Sequence, residues 1–327
     1  MRRRDVLLTL GPGLAAWSRN AGAQNRRPVI GFFGVHSSTT LAPTLLPAFR
    51  RGLAEQGYVE GRNVTIEYLW ADGLYERLPA LVSELVTRNV DVIVAAGGSI
   101  AAQAAKAATG SIPVIILAGD DPVRLGLVSS INRPGTNITG VAQLVVASEG
   151  KRLELMHELV PAAKVIAFLT NPARSNSERQ VAAMQVAAKA VGVELAVLEA
   201  DDDGDLRSVL GTAKSRAGAL IVGADPYFFV RHELIVSLVE SHAIPTMYFF
   251  REFVAAGGLV SYGSNLANAF HQIGVYAGKV LSGIKPAEMP MVQQSDKLEL
   301  VLNATTAKKL GLAIPPTFLA RADEVIE

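Results

Sequence analysis

There is no cysteine among the 327 residues. That excludes disulfides, thiolate catalysis, cysteine-bound metals and a lipid-modified cysteine behind an export signal. Charge is sparse too: Asp, Glu, Lys and Arg make up 19% of the chain, with a formal net charge of +1. No basic patch stands out, which argues against a nucleic-acid partner. Catalytic signatures are also missing. No G-x-G-x-x-G follows a strand pattern, and Gly97-Gly98-Ser99 has the wrong spacing for one. There is no P-loop lysine, no G-x-S-x-G and no H-E-x-x-H. His36, His157, His232, His242 and His271 are scattered, and only His36 falls on a loop expected to face a cleft. The expectation is a binding protein with no catalytic residues, no cofactor and no metal.

The N-terminal apolar stretch, Val6 to Trp17, is too short to span a bilayer. It follows Arg2-Arg3-Arg4 and precedes Ala21-Gly22-Ala23, an A-x-A cleavage pattern. Residues 1–23 therefore read as an export signal, with Gln24 opening the mature chain. Arg3-Arg4-Asp5-Val6-Leu7 resembles a twin-arginine motif without its usual flanking residues, and an arginine-rich Sec signal fits equally well. With four arginines and Asp5 removed, 27 basic residues face 29 acidic ones. A soluble, monomeric periplasmic protein without a membrane anchor is expected.

What is present is apolar pattern. Half the residues are hydrophobic, and 327 exceeds the usual size of a single core, so two domains are expected. Val90 to Gln103 shows the repeating unit. Val90, Val92, Ile93 and Val94 make a buried parallel strand, Gly97-Gly98 allow a sharp turn, Ser99 can cap, and an Ala-rich helix follows. Ala219 to Pro226 repeats the pattern before a helical run from Arg231 to His242. The rhythm elsewhere is the same, with strands at 28–34, 64–70, 112–118 and 137–142, then at 165–169, 194–198, 245–249 and 258–262. The fold class is α/β: two doubly wound parallel-sheet lobes joined by a multi-strand hinge. The helix Leu266–Leu281 has no strand partner left in the second half, so the chain is expected to return to the first lobe. The lobes are placed at 24–142 plus 263–290 and at 143–262 plus 291–327.

In such folds ligands bind outside the carboxyl ends of the strands. The loops there offer His36, Ser37, Ser38, Gly98, Ser99, Asp120, Asn171, Ser175, Asn176 and Asp225, with Tyr227, Tyr248 and Tyr262 as flat surfaces bearing a polar tip. Asp120 and Asp225 suit a ligand amine, and free N–H groups at helix starts suit a carboxylate. Each has a plainer alternative. Ser, Asn and Asp also cap helices, Asp-Pro opens turns, and Tyr is often half-buried core. Recurrence in both halves is what favours a small-molecule ligand held between the lobes.

Several blocks resemble a known family. They are Gly57-Tyr-Val-Glu-Gly-Arg-Asn-Val64, Trp70-Ala-Asp-Gly73, Asp91-Val-Ile-Val94, Asp121-Pro-Val123, Arg133-Pro-Gly135, Asn137-Ile-Thr-Gly140, Lys151-Arg-Leu-Glu-Leu155, Gly257-Gly-Leu-Val-Ser-Tyr-Gly263 and the final Ala320 to Glu327. Together they resemble the substrate-binding proteins of ABC transporters, of the tryptophan/tyrosine type. The resemblance implies a type I periplasmic binding protein that closes on its ligand by hinge motion. It further implies delivery to ABC permease transmembrane subunits, with an aromatic amino acid or related carboxylate as cargo. A receptor serving a sensor kinase or chemoreceptor is the alternative.

Overall fold

The computed structural model describes residues 26–41, 45–143, 145–174, 176–294 and 298–327. The expected signal at 1–23 and Ser175 lie outside them. Thirteen strands are present among the described residues. In the first half they are β1 Val29–Gly34, β2 Thr65–Trp70, β3 Val92–Ala95, β4 Val114–Ala118 and β5 Ile138–Ala142. Then come β6 Val165–Thr170, β7 Glu194–Glu199, β8 Ala219–Val222, β9 Thr246–Tyr248 and β10 Val260–Ser264. The last three are β11 Val292–Gln293, β12 Leu298–Asn303 and β13 Glu324–Ile326.

They form two sheets, in the orders β11-β5-β4-β3-β1-β2 and β13-β12-β10-β9-β8-β6-β7. Every residue of β3, β4, β5 and β8 is buried. That is why these segments read as continuous apolar runs rather than as alternating ones: helices cover both faces of each sheet.

The chain passes from one sheet to the other after β5, after β10 and between β11 and β12. Sheet membership carries the passages slightly past the expected boundaries. β10 pairs within the second sheet through Ser264, and Val292 and Gln293 pair with Val141 and Ala142 in the first. The second sheet is also not wholly parallel, because β12 runs antiparallel to β10. The return explains it. β10 ends at the cleft edge, the chain leaves for the first lobe, and a strand re-entering from that edge must run away from it. β13 and the short helices Pro226–Val230 and Pro316–Leu319 were not expected from the sequence. Among the described residues no helix is long and apolar enough to cross a membrane.

The helix Leu266–Leu281 does return to the first lobe, where it lies along the helix Leu45–Glu55. Two glycines set their spacing. A Cβ at Gly52 would sit 2.0 Å from the His271 carbonyl oxygen, and one at Gly274 2.1 Å from that of Phe49. The backbones touch, so nothing can give way cheaply. Gly274→Ala is expected to destabilise the protein by about 1–3 kcal/mol through overpacking. It should lower the urea midpoint at an unchanged m-value.

Candidate functional site

One slot lies between the two rows of strand ends. The first lobe contributes His36 after β1, Gly98 and Ser99 after β3, and Asp120 after β4. The second contributes Arg174 and Asn176 after β6, Asp225 after β8 with Phe229 in the helix Pro226–Val230, and Phe249 and Phe250 after β9. Gln143, donating to Ser264 Oγ at 2.9 Å, ties the first two hinge passages together at the rear. The slot holds about 530 Å³ of atom-free space including its open mouth. It is narrow because the lobes are closed.

Direct contacts across the slot establish the closure. Asn176 Nδ2 donates to Asp120 Oδ1 at 3.0 Å, and Arg179 stands 3.6 Å from the same oxygen. His36 meets Phe229 edge to face, with centroids 5.4 Å apart. Gly98 has φ +75°, and a Cβ there would come within 2.9 Å of Pro226. Only glycine lets the lobes approach this closely.

Tyr75 makes the most elaborate bridge. Its hydroxyl donates to Asp225 Oδ1 at 2.8 Å and accepts from the Tyr227 N–H at 2.9 Å. The Arg174 guanidinium lies over its ring, 5.0 Å from the centroid. Burial, reinforced by the Asp225 carboxylate, pushes the phenol well above its ordinary range, so it stays a donor at any physiological pH. Asp225 Oδ1 also accepts from the Tyr227 and Phe228 N–H groups and from Asn171 Nδ2, while Oδ2 stands 3.1 Å from Arg174 Nε. Asp225 is thus a cap and a clamp as well as a wall residue.

The slot is lined by two kinds of cluster. Asp120 meets Asn176 and Arg179, while Arg174 sits against Asp225 and the ring of Tyr75. Phe229 packs on His36 and on Phe250, which adjoins Phe249. Burial lowers the His36 imidazole to about 4, against the smaller opposing effect of its bond to the Ala96 carbonyl, so it is neutral near pH 7.

Of the residues expected at the ligand, His36, Gly98, Ser99, Asp120, Asn176 and Asp225 line the slot. Asn171 stands behind the wall and braces Asp225. Five others lie elsewhere. Tyr248 is fully buried, its ring stacked on Phe253 at 4.8 Å. Tyr262 sits mid-strand in β10 and packs on the second-lobe core. Side chains within a strand stand perpendicular to the sheet, so neither reaches the strand-end edge. Ser38 is exposed in the short helix Ser38–Leu41, and Ser37 borders an outer groove beside Arg231 and Glu252. Tyr227 points its hydroxyl outward to Asp203 Oδ1 at 2.5 Å.

The sequence reading passed over Arg174, Gln143, Phe229, Phe249, Phe250 and Tyr75. Arg174 belongs to the loop already marked by Asn171 and Asn176, and Phe249-Phe250 follows directly on a strand. Both signals were available. Nothing local marked Tyr75, whose partners lie about 150 positions away.

The model of the family described as ABC transporter substrate binding protein matches residues 44–326. The chain belongs to that family. Among its relatives, a tyrosine-binding protein of Clostridioides difficile (strain R20291) is 28% identical over 264 residues, covering 81% of this chain and 75% of that one. A Streptococcus pneumonia ABC domain in complex with L-Trp is 28% identical with a TM-score of 0.80, over 91% of this chain and 100% of the other. A substrate binding protein with adhesive properties from Clostridium difficile, in its ligand-free, open structure, is 25% identical. It covers 91% of this chain and 99% of its own, yet its TM-score is only 0.64. Identity and coverage barely differ between the last two, whereas the shape agrees far better with the ligand complex. That matches the closed contacts of this substrate-binding protein.

Proposed function

We propose that this substrate-binding protein captures an amino acid with an aromatic side chain between its lobes, hands it unchanged to a membrane permease, and works outside the cytoplasm. One observation carries the reading: a single slot is lined by side chains of both charge signs, Asp120, Asp225 and Arg174, and by three phenyl rings. Asp120, already turned toward Asn176, takes the α-ammonium. Arg174 takes the α-carboxylate, helped by the free N–H groups that open the helix Gly98–Ala108. Phe229, Phe249 and Phe250 enclose the ring. The tyrosine-binding relative and the relative in complex with L-Trp support the same cargo class. The slot is too narrow for such a guest to enter while the lobes are closed, so hinge opening precedes capture.

Thermal shift on residues 24–327, refolded once from denaturant to strip retained ligand, tests the reading. At 100 times the dissociation constant a ligand stabilises by about 2.7 kcal/mol, roughly 5–10 °C for domains of this size. L-Trp, L-Tyr and L-Phe are expected to give such shifts, and sugars and nucleosides none. A response to sugars alone would sink the assignment.

A further inference from the structure

We infer that His36 reads a hydrogen-bond donor on the ligand's side chain through its Nδ1, so that the slot selects an aromatic ring bearing N–H or O–H over a plain phenyl ring. The inference deepens, and rests on, the amino-acid reading of the same slot. It begins with a tautomer. His36 Nε2 lies 3.0 Å from the Ala96 carbonyl oxygen, which can only accept, so Nε2 carries the hydrogen. A neutral imidazole has just one N–H, and burial keeps this one neutral down to about pH 4. Nδ1 is therefore a bare acceptor. It is sealed from solvent and has no partner among the described residues.

In the open protein water can bond Nδ1. Closing an empty slot brings Phe229 against the ring and leaves the acceptor dry, which penalises closure. A ligand that supplies a donor removes the penalty, and one that does not inherits it. Position decides which part of the ligand is read. Asp120 follows β4 and His36 follows β1, with β3 between them. Two strand spacings are about 10 Å. That is too far for the α-ammonium held at Asp120 to reach His36, and it suits the far side of an indole or phenol lying along the slot. The Phe229 ring packed edge to face on His36 agrees, since it offers no hydrogen-bonding atom to a polar group there.

The test is calorimetric titration of the full-length mature protein with two matched pairs: L-Trp against β-(3-benzothienyl)-L-alanine, in which sulfur replaces the indole N–H, and L-Tyr against L-Phe. The donor-bearing member of each pair is expected to bind roughly 10-fold or more tightly, the cost of stranding one buried acceptor. In His36→Leu both preferences should shrink to less than about 3-fold, and His36→Gln, which restores an acceptor, should recover part of them. Equal affinity within both pairs for the wild type would overturn the inference while leaving the receptor reading intact. A preference that survives in His36→Leu would assign the discrimination to another residue and overturn it too. If no aromatic amino acid bound at all, both readings would fall. The wild-type pairs decide the matter even if a variant does not fold.

Discussion

Asp225→Ala is expected to weaken ligand binding by at least about 100-fold and to destabilise the second lobe as well. Its carboxylate accepts from Tyr75, Asn171 and the N–H groups of Tyr227 and Phe228, and it holds Arg174, whose side chain is 7% exposed. Removing it strands a buried guanidinium, a loss of about 3–5 kcal/mol where such pairs are broken. It also uncaps a helix and cuts the bridge to Tyr75. Tyr75→Phe separates these effects. It loses only the interlobe hydrogen bonds, so affinity should fall about 10-fold with little change in unfolding midpoint. Equal affinity in Tyr75→Phe and wild type, measured by titration calorimetry, would mean that the bridge does not contribute to the ligand-bound state.

The second large effect concerns a pair outside the slot. Glu149 opens the helix Glu149–Leu159 just after the first hinge passage, and Arg152 stands 2.7 Å from it, both fully buried. Arg152 also donates to the carbonyl of Val222 at the end of β8, which pins the passage to the second sheet. Neither carboxylate oxygen accepts a well-aligned hydrogen bond, so burial dominates. It pushes the Glu149 carboxyl up to about 7 and Arg152 down, against their mutual attraction. Arg152→Ala should therefore cost about 3–5 kcal/mol, or roughly 10 °C in Tm, whereas replacing both residues by Leu should cost far less.

The pH dependence has a definite sign. Between the unfolded value of 4.5 and about 7, folded Glu149 retains a proton that the unfolded chain has released. Its contribution to stability therefore falls as pH rises, by at most about 1.4 kcal/mol per unit. His36 acts the other way. Its folded value is about 4 against 6.5, so its contribution is present above pH 6.5 and lost as pH falls toward 4. The two slopes oppose each other between about pH 4.5 and 6.5. Glu149→Gln should leave stability rising with pH there, and His36→Leu should leave it falling. Parallel curves for both variants, by urea unfolding across that range, would contradict the assignment.

The repeating strand–loop–helix units were legible because buried parallel strands announce themselves as short β-branched runs, as Val92–Ala95 and Ala219–Val222 do. The strand-end rule then pointed to His36, Ser99, Asp120, Asn176 and Asp225, all of which line the slot. It failed for Tyr248 and Tyr262, because aromatic character alone does not say whether a residue lies within a strand or just past its end. One position separates core Tyr248 from slot residue Phe249. The rule also undervalued Arg174, since a charged side chain in a loop reads as solvated until its buried partner is known. The antiparallel entry of β12 and the Tyr75 bridge depend on how the chain recrosses the hinge, and no local pattern encodes that.

The central claim is closure on an aromatic amino acid, and lobe separation measures it most directly. The chain has no cysteine of its own, so Glu76→Cys with Asp201→Cys places spin labels only at two exposed positions on facing lips of the cleft. Pulsed electron resonance on the refolded, ligand-free protein should give a long, broad distance distribution. Saturating L-Trp or L-Tyr should collapse it to one short, narrow peak. Identical distributions with and without the amino acid would contradict the account.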